Sequence, residues 1–328
     1  MKKISCIGFH ATGSGVIDDL LRECDNVVQG IPDCESRFLQ DPDGIADLEY
    51  NLIDNHHRIN SGFAVKRYLR YVDRTKRTYV KIFGPEWQKI SHKYIQSLLD
   101  FEYKGFWYGD LWLSNKIVNC YYIIRRQWDK RIRKKILHKK SYRNHLPWIT
   151  SYYVTIEKDE FLEKTRNYID SLCESMNINN KEFVVLDQLV PPTNIAKYNR
   201  YLRDIKYVIV DRDPRDVYIY LHEVQDRVMP IDDPYKFCKY FRDSHKQLSD
   251  FPNNCLLVHF EDMVLHYDKF VPLVMRFLGI EPSHHIAPRK HFDPTKSVKG
   301  VRTWVRHPEY SEDIEIITRE LTEFLYHF

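Results

Sequence analysis

Lys3-Ile-Ser-Cys-Ile-Gly8, Phe9-His-Ala-Thr-Gly13-Ser-Gly15 and Val16-Ile-Asp-Asp-Leu-Leu21 follow one another at the start of the chain. Together they read as a short buried strand, a loop of small residues and the first turns of a helix. Gly8, Gly13 and Gly15 are three of the eleven glycines in the sequence. A loop of that composition lets backbone N–H groups close around an anion, and the helix start behind it adds partial positive charge. The same stretch also suits a tight turn whose glycines serve chain geometry alone. The remainder of the chain decides between the two.

Working outward, further short apolar runs alternate with helical patterns. Asn26-Val-Val-Gln-Gly-Ile31 reads as a second strand, followed by a polar segment, Pro32-Asp-Cys-Glu35-Ser-Arg37. If that segment stays extended, Glu35 and Arg37 point the same way, because side chains alternate with period two. Phe183-Val-Val-Leu-Asp187 is a strand ending in Asp187-Gln188 and a Pro191-Pro192 turn. Residues just past strand ends line the ligand crevice of an open α/β sheet, which makes Asp187 and Gln188 candidate substrate contacts; capping of the turn explains them equally well. Lys206-Tyr-Val-Ile-Val-Asp211 is the clearest buried strand, and it runs into Arg212-Asp-Pro-Arg215-Asp216 and a helical pattern. Two arginines in such a turn suit bidentate phosphate recognition, with a local Arg/Asp network as the structural alternative. Cys255 to Phe260 is the last strand, and the helix from Phe270 to Leu278 stops at Gly279, a normal C′ residue. A basic loop, Lys296 to Trp304, precedes a final helix capped by Ser311 and carrying Ile314, Ile317, Leu321 and Leu325. These elements predict an α/β fold: a parallel sheet of about five strands covered by helices on both faces.

The stretch from about 40 to 180 is different. Residues 41–100 carry helical patterning punctuated by Asp41-Pro-Asp-Gly44 and Phe83-Gly-Pro85, and 157–176 form an amphipathic helix. Between them, Arg125 to Arg143 holds ten Lys/Arg against one acid, Asp129, with Trp128, Ile132, Ile136 and Leu137 at helical spacing. This predicts a basic amphipathic helix, and the charge density favours an anionic contact over a merely solvated face: lipid head groups, a lipid-linked precursor or an acidic glycan. No base-reading motif accompanies it, so nucleic acid is not the expected partner.

Composition sets the outer bounds. In 328 residues, 43% are hydrophobic and 29% charged, with net charge +4, which are ordinary globular values. Seven scattered cysteines without a CxxC pair argue for reduced thiols in a cytoplasmic setting and against a zinc site. No apolar run reaches the roughly 20 residues of a membrane span, and no signal peptide is evident. The expected location is the cytoplasm, at most against the inner face of the membrane.

The order of these motifs resembles the PAPS-dependent sulfotransferase family, whose fold is P-loop NTPase-like, and most of all its bacterial carbohydrate members. The resemblance covers roughly residues 3–38 and 183–328, and implies one sulfotransferase-like domain over 1–328 with 40–180 as a helical, acceptor-specific insertion. It implies that Ala11, Thr12, Gly13, Ser14 and Gly15 hold the 5′-phosphosulfate. Val208-Ile-Val-Asp-Arg212-Asp-Pro-Arg215-Asp-Val217 is similar to the family's 3′-phosphate motif, and Val258-His-Phe-Glu261-Asp262 with Phe277-Leu-Gly-Ile280 to its next signature. Lys299, Gly300 and Arg302, with Trp304, resemble the loop that closes over the nucleotide. Two positions depart from the family: Ala11 stands where a lysine is usual, and Tyr220 where a serine is usual.

The implied reaction is in-line transfer of a sulfuryl group from PAPS, leaving PAP, to a hydroxyl of a carbohydrate, expected to be a capsule or other surface-polysaccharide precursor, free or lipid-linked, with no metal. Glu35 takes the place of the family's base, with His10 and Arg37 sharing the work of the absent lysine. Two other classes remain open at this point. A P-loop-related kinase or phosphotransferase is disfavoured because GxxxxGK[ST] is missing. A non-catalytic binding protein of the same fold is favoured by Ala11.

Overall fold

The computed structural model describes residues 1–32, 34–246 and 251–328; Asp33, in the polar segment after the second strand, lies outside them. Seven strands occur among these residues: β1 (Lys2–Gly8), β2 (Val27–Gln29), β3 (Phe101–Lys104), β4 (Thr150–Tyr153), β5 (Phe183–Val185), β6 (Ile205–Asp211) and β7 (Cys255–His259). Five of them form one sheet in the order β2-β5-β1-β6-β7, every pairing parallel. This is the α/β sheet that the alternation of apolar runs and helical patterns predicts. β1 lies at its centre, so the loop leaving Gly8 emerges between neighbours on both sides.

The chain divides into two compact units. The first comprises residues 1–40, 81–84 and 173–328 and contains the five-stranded sheet. On one face of that sheet Ile4, Cys6, Val208 and Val210 pack with Ile17, Leu20 and Leu21 of the helix Gly15–Leu21 and with Val274 and Leu278 of the helix Tyr267–Leu278. Truncating one of these large side chains to Ala costs about 2–5 kcal/mol. A second cluster joins Val217 and Leu221 to Phe237, Phe241, Ile314 and Ile317.

Local chemistry sets the ends of these elements. Asp213-Pro214 starts the helix Pro214–Glu223: the Asp213 carboxylate accepts the Arg215 N–H at 2.9 Å, and proline supplies the first helical φ. Asp233-Pro234 and Asp293-Pro294 repeat the device. Gly279, at φ 81°, closes the helix Tyr267–Leu278 as the sequence predicts. The last helix, Ser311–Glu320, differs from expectation. Ser311 is its first helical residue rather than a side-chain cap, and Leu325 falls beyond its end. One support has no sequence signal. Glu23, fully buried, accepts from His285 Nε2 (2.7 Å) and from the N–H groups of Arg289, His291 and Phe292 (2.9–3.1 Å).

The second unit comprises residues 41–80 and 85–172. Its helices, among them Asn60–Arg74 and Trp87–Leu98, pack with the antiparallel pair β3–β4. Gly62 makes that packing: a Cβ there would stand 2.3 Å from the Tyr152 carbonyl oxygen of β4. Much of the aromatic content is buried here, and its hydroxyls are partnered, as burial demands. Tyr68 donates to Tyr168 (3.1 Å), Tyr168 bonds Ser91 (2.8 Å), and Tyr94 bonds Thr165 (2.8 Å). The basic segment differs from the expected single helix. Helix Lys116–Trp128 begins well before Arg125 and continues as a wider π-helical stretch, Asp129–Ile136, while 137–143 are not helical. No helix of the described residues is long and apolar enough to cross a membrane.

Candidate functional site

The β1 loop folds back over the carboxyl end of the sheet. Phe9 N–H donates to Thr12 Oγ1 at 3.3 Å, and Gly8 N–H to Gln188 Oε1 at 3.4 Å. Gln188 Nε2 donates to Ser14 Oγ at 2.7 Å, so one side chain past β5 ties both ends of the loop. His10, Ala11 and Gly13 all have positive φ (85°, 57° and 88°). At Gly13 a side chain is also excluded by space, because a Cβ would lie 2.6 Å from the Phe260 ring. After these turns the N–H groups of Ala11, Thr12, Gly13 and Ser14 donate to no acceptor among the described residues. Four consecutive unmatched donors beside a helix start leave this loop able to receive an anion, which a self-satisfied turn could not.

That loop borders a cavity of about 490 Å³, whose walls include His10, Ala11, Thr12, Ser14, Glu35, Arg37, Gln188 and Tyr220. The structure therefore brings together eight of the sequence-predicted site residues, with Gly13 and Gly15 in the loop behind them. The segment carrying Glu35 is irregular, and Arg37 opens a short 3-10 turn, so the extended geometry expected there is not what pairs them. They meet nonetheless, Arg37 Nη1 lying 3.4 Å from Glu35 Oε2, both about half-exposed. His10 Nε2 is 2.9 Å from Asp226 Oδ2, a partner that carries no motif. Gln40, Tyr240 and Ser244 also line the cavity and were not foreseen.

Asp187 does not line the cavity. Its Oδ1 is buried without a partner among the described residues, while its carbonyl accepts Ser36 N–H at 2.7 Å and so anchors the Glu35 segment. Burial, then the charges of Asp18 and Glu35, push the Asp187 carboxyl up to about 8. The carboxyl thus stands well above the usual carboxylate range, and the residue anchors the segment rather than lining the cavity.

The arginine turn also departs from expectation. Arg212 is buried, and its Nη1 and Nη2 donate to the carbonyls of Ala11 (3.2 Å) and Gly300 (2.6 Å). Its Nε is buried without a partner among the described residues, and the guanidinium sits 4.7 Å from the Phe260 ring centre. Arg215 is held by Asp213 through Nε and Nη2 (2.9 and 2.6 Å) and lies over Trp304. Arg215 with Asp213 forms the local Arg/Asp network of the structural alternative, while Arg212 ties the β1 loop to Gly300, and neither lines the loop cavity. Asp213 N–H donates in turn to Glu261 Oε1 at 3.0 Å; burial pushes the Glu261 carboxyl up to about 7. Lys299 and Arg302 line a separate cavity with Arg306, His266, Tyr326 and Phe328. Asp216 fixes that loop by accepting the N–H groups of Arg302 and Thr303 (2.8 and 2.6 Å).

Beneath the cradle lies a further feature without a sequence signal. The buried His245 ring stacks between Phe9 and Phe241, with centroids 4.0 and 3.9 Å away, and its Nε2 is 3.1 Å from Asp211 Oδ1. It supports the loop through Phe9.

No family model matches the chain, and no curated protein is similar to it. Among solved structures it is similar to the sulfotransferase domain of the Synechococcus PCC 7002 olefin synthase, with TM-score 0.40 and 11% identity over 92% of this chain and 87% of that one. Sulfotransferase STF9 from Mycobacterium avium gives TM-score 0.36 and 10% identity over 96% and 76% of the two chains. Mouse sulfotransferase SULT7A1, crystallised with PAP, gives 0.30 and 15% over 45% and 69%.

Proposed function

We propose that this chain transfers a sulfuryl group from PAPS to a hydroxyl of a carbohydrate acceptor, such as a precursor of a bacterial surface polysaccharide. The observation that carries the reading is the loop cavity itself: a loop with four unmatched N–H donors borders it, and a guanidinium and a carboxylate share its walls. The loop end of the site fits the phosphosulfate, with Ala11 to Ser14 supplying donors, Arg37 positive charge and His10 a ring nitrogen beside them. The donor, when bound, supplies the sulfuryl group and a phosphate leaving group. Glu35 takes the proton of the acceptor hydroxyl as the new O–S bond forms and the old one breaks, and the loop donors meet the charge that gathers on the leaving oxygen. Asp187 does not compete, because it does not line the cavity.

A cavity inside the second unit supports the carbohydrate assignment. About 520 Å³ in volume, it is walled by Phe63, Phe101, Tyr103, Trp107 and Tyr152 over the ion pair Lys66–Asp110 (2.6 Å). Aromatic faces against the C–H face of a sugar ring, with a few fixed polar groups, suit a saccharide. On this reading residues 40–180 are the acceptor-specific part of one domain. A cytoplasmic location accords with seven free thiols.

The alternative of a non-catalytic binding protein draws on Ala11, which leaves the loop without its own lysine. Transfer of radiolabelled sulfate from PAPS to capsular oligosaccharides tests the proposal. Glu35→Gln is expected to lower kcat about 100-fold or more while PAP binding persists. Transfer by the variant at the parental rate removes Glu35 as base, and no transfer by the parent to any acceptor favours the binding protein.

A further inference from the structure

The helix Lys116–Trp128, continued by the π-helical Asp129–Ile136, buries one side and leaves the other bare. On the inner side Tyr122 and Asp129 are buried. Asp129 accepts Tyr142 N–H at 3.1 Å, and Arg133 lies over the Tyr142 ring at 3.9 Å, so the only acid of the basic segment is used internally. On the outer side Ile117, Tyr121, Ile124 and Trp128 follow the α-helical period, and they are 79%, 40%, 61% and 42% exposed. Ile132 and Ile136 then continue at four-residue steps. There the turn widens, the Leu137 N–H donating to Ile132 O at 2.9 Å. Ile136 is 63% exposed, so apolar surface continues into the π-helical stretch. Exposed cations accompany it: Arg126, Lys130, Arg131, Lys134 and Lys135, then Lys139, Lys140 and Arg143 beyond the helix end.

We infer that this face docks onto an anionic lipid surface. Ile117, Ile124, Trp128 and Ile136 enter the boundary between head groups and acyl chains, and the cations meet lipid phosphates. Charge complementarity selects this occupant: an apolar stripe amid exposed cations, with no exposed acid between 125 and 143, fits a negatively charged bilayer and repels a second copy of itself. The inference goes beyond the transfer reaction and stands without it.

Co-sedimentation of the full chain with vesicles of phosphatidylcholine alone, and with vesicles enriched in phosphatidylglycerol, tests it. The expected result is binding to the anionic vesicles only, weakened by salt, with a Trp fluorescence blue shift that Trp128→Phe reduces. Lys130→Glu/Arg131→Glu/Lys134→Glu leaves the packed side untouched and is expected to weaken binding about 100-fold. Ile124→Glu/Trp128→Glu is expected to abolish it, with the melting temperature of both variants near the parent's. Equal binding to both vesicle types, or to neither, overturns the inference. So does a dimer dissolved by Ile124→Glu/Trp128→Glu without vesicle binding. So also does capture by a soluble acidic polysaccharide that is lost in the charge variant but kept in the apolar one.

Discussion

Asp187→Asn isolates the most unusual carboxyl in the first unit. The parental group is raised from 3.8 to about 8, by burial first and then by Asp18 and Glu35. Between those values the folded chain holds a proton that the unfolded chain has released. Stability therefore falls as pH rises, by up to about 1.4 kcal/mol per pH unit. From pH 5 to pH 7 this one group removes about 2–3 kcal/mol, and the fall ends once pH passes the folded-state value. Asparagine has nearly the shape of the protonated acid and does not titrate, so the variant lacks this component. Glu261, pushed up to about 7, titrates in the same window but is common to both proteins and cancels in the difference. Urea unfolding of parent and variant at pH 5, 6, 7 and 8 is the assay: the stability of the variant minus that of the parent should grow through the series. Adding Glu35→Gln to the parent should make its fall shallower, because the Glu35 charge contributes to the shift. Parallel pH profiles for parent and Asp187→Asn would refute the reasoning, since Asp187 would then ionise alike in both states.

Two further substitutions probe the scaffold. Gly13→Ala forces a side chain into φ 88° and to within 2.6 Å of the Phe260 ring; a loss of about 1–3 kcal/mol in thermal unfolding is expected, with PAP affinity falling as the cradle shifts. Glu23→Ala leaves His285 Nε2 and three N–H groups without their acceptor. It should cost about 3–5 kcal/mol and raise amide exchange specifically at Arg289, His291 and Phe292.

The sheet was readable because each of its strands is a short apolar run closed by turn chemistry: Gly8 after β1, Pro191-Pro192 beyond β5 and Asp-Pro after β6. The pair β3–β4 was not. Its strands stand far apart in sequence, every residue of β3 is exposed, and no alternation of buried and open positions marks it. At the site, the glycine-rich loop was legible from composition, whereas a role for Glu35 followed only from the family resemblance. The partners of Arg212 were not legible, because it is claimed by the carbonyls of Ala11 and Gly300, groups that every residue has and that only the tertiary fold brings near. Asp226 and His245 likewise act through neighbours distant in sequence, His10 for one and Asp211 with Phe9 for the other. The basic segment announced its charge but not its winding. Its π-helical continuation, Asp129–Ile136, breaks the period on which sequence reading depends.

Thermal unfolding with PAP, with ATP and magnesium, and with UDP-sugars tests the central claim most directly, because a ligand bound only by the folded state stabilises it by about 2.7 kcal/mol at a hundred times its Kd. The account predicts a saturable rise in melting temperature with PAP alone, reduced in Gly13→Ala. A rise with ATP and magnesium and none with PAP would contradict it, and would make the β1 loop the cradle of a phosphoryl donor instead.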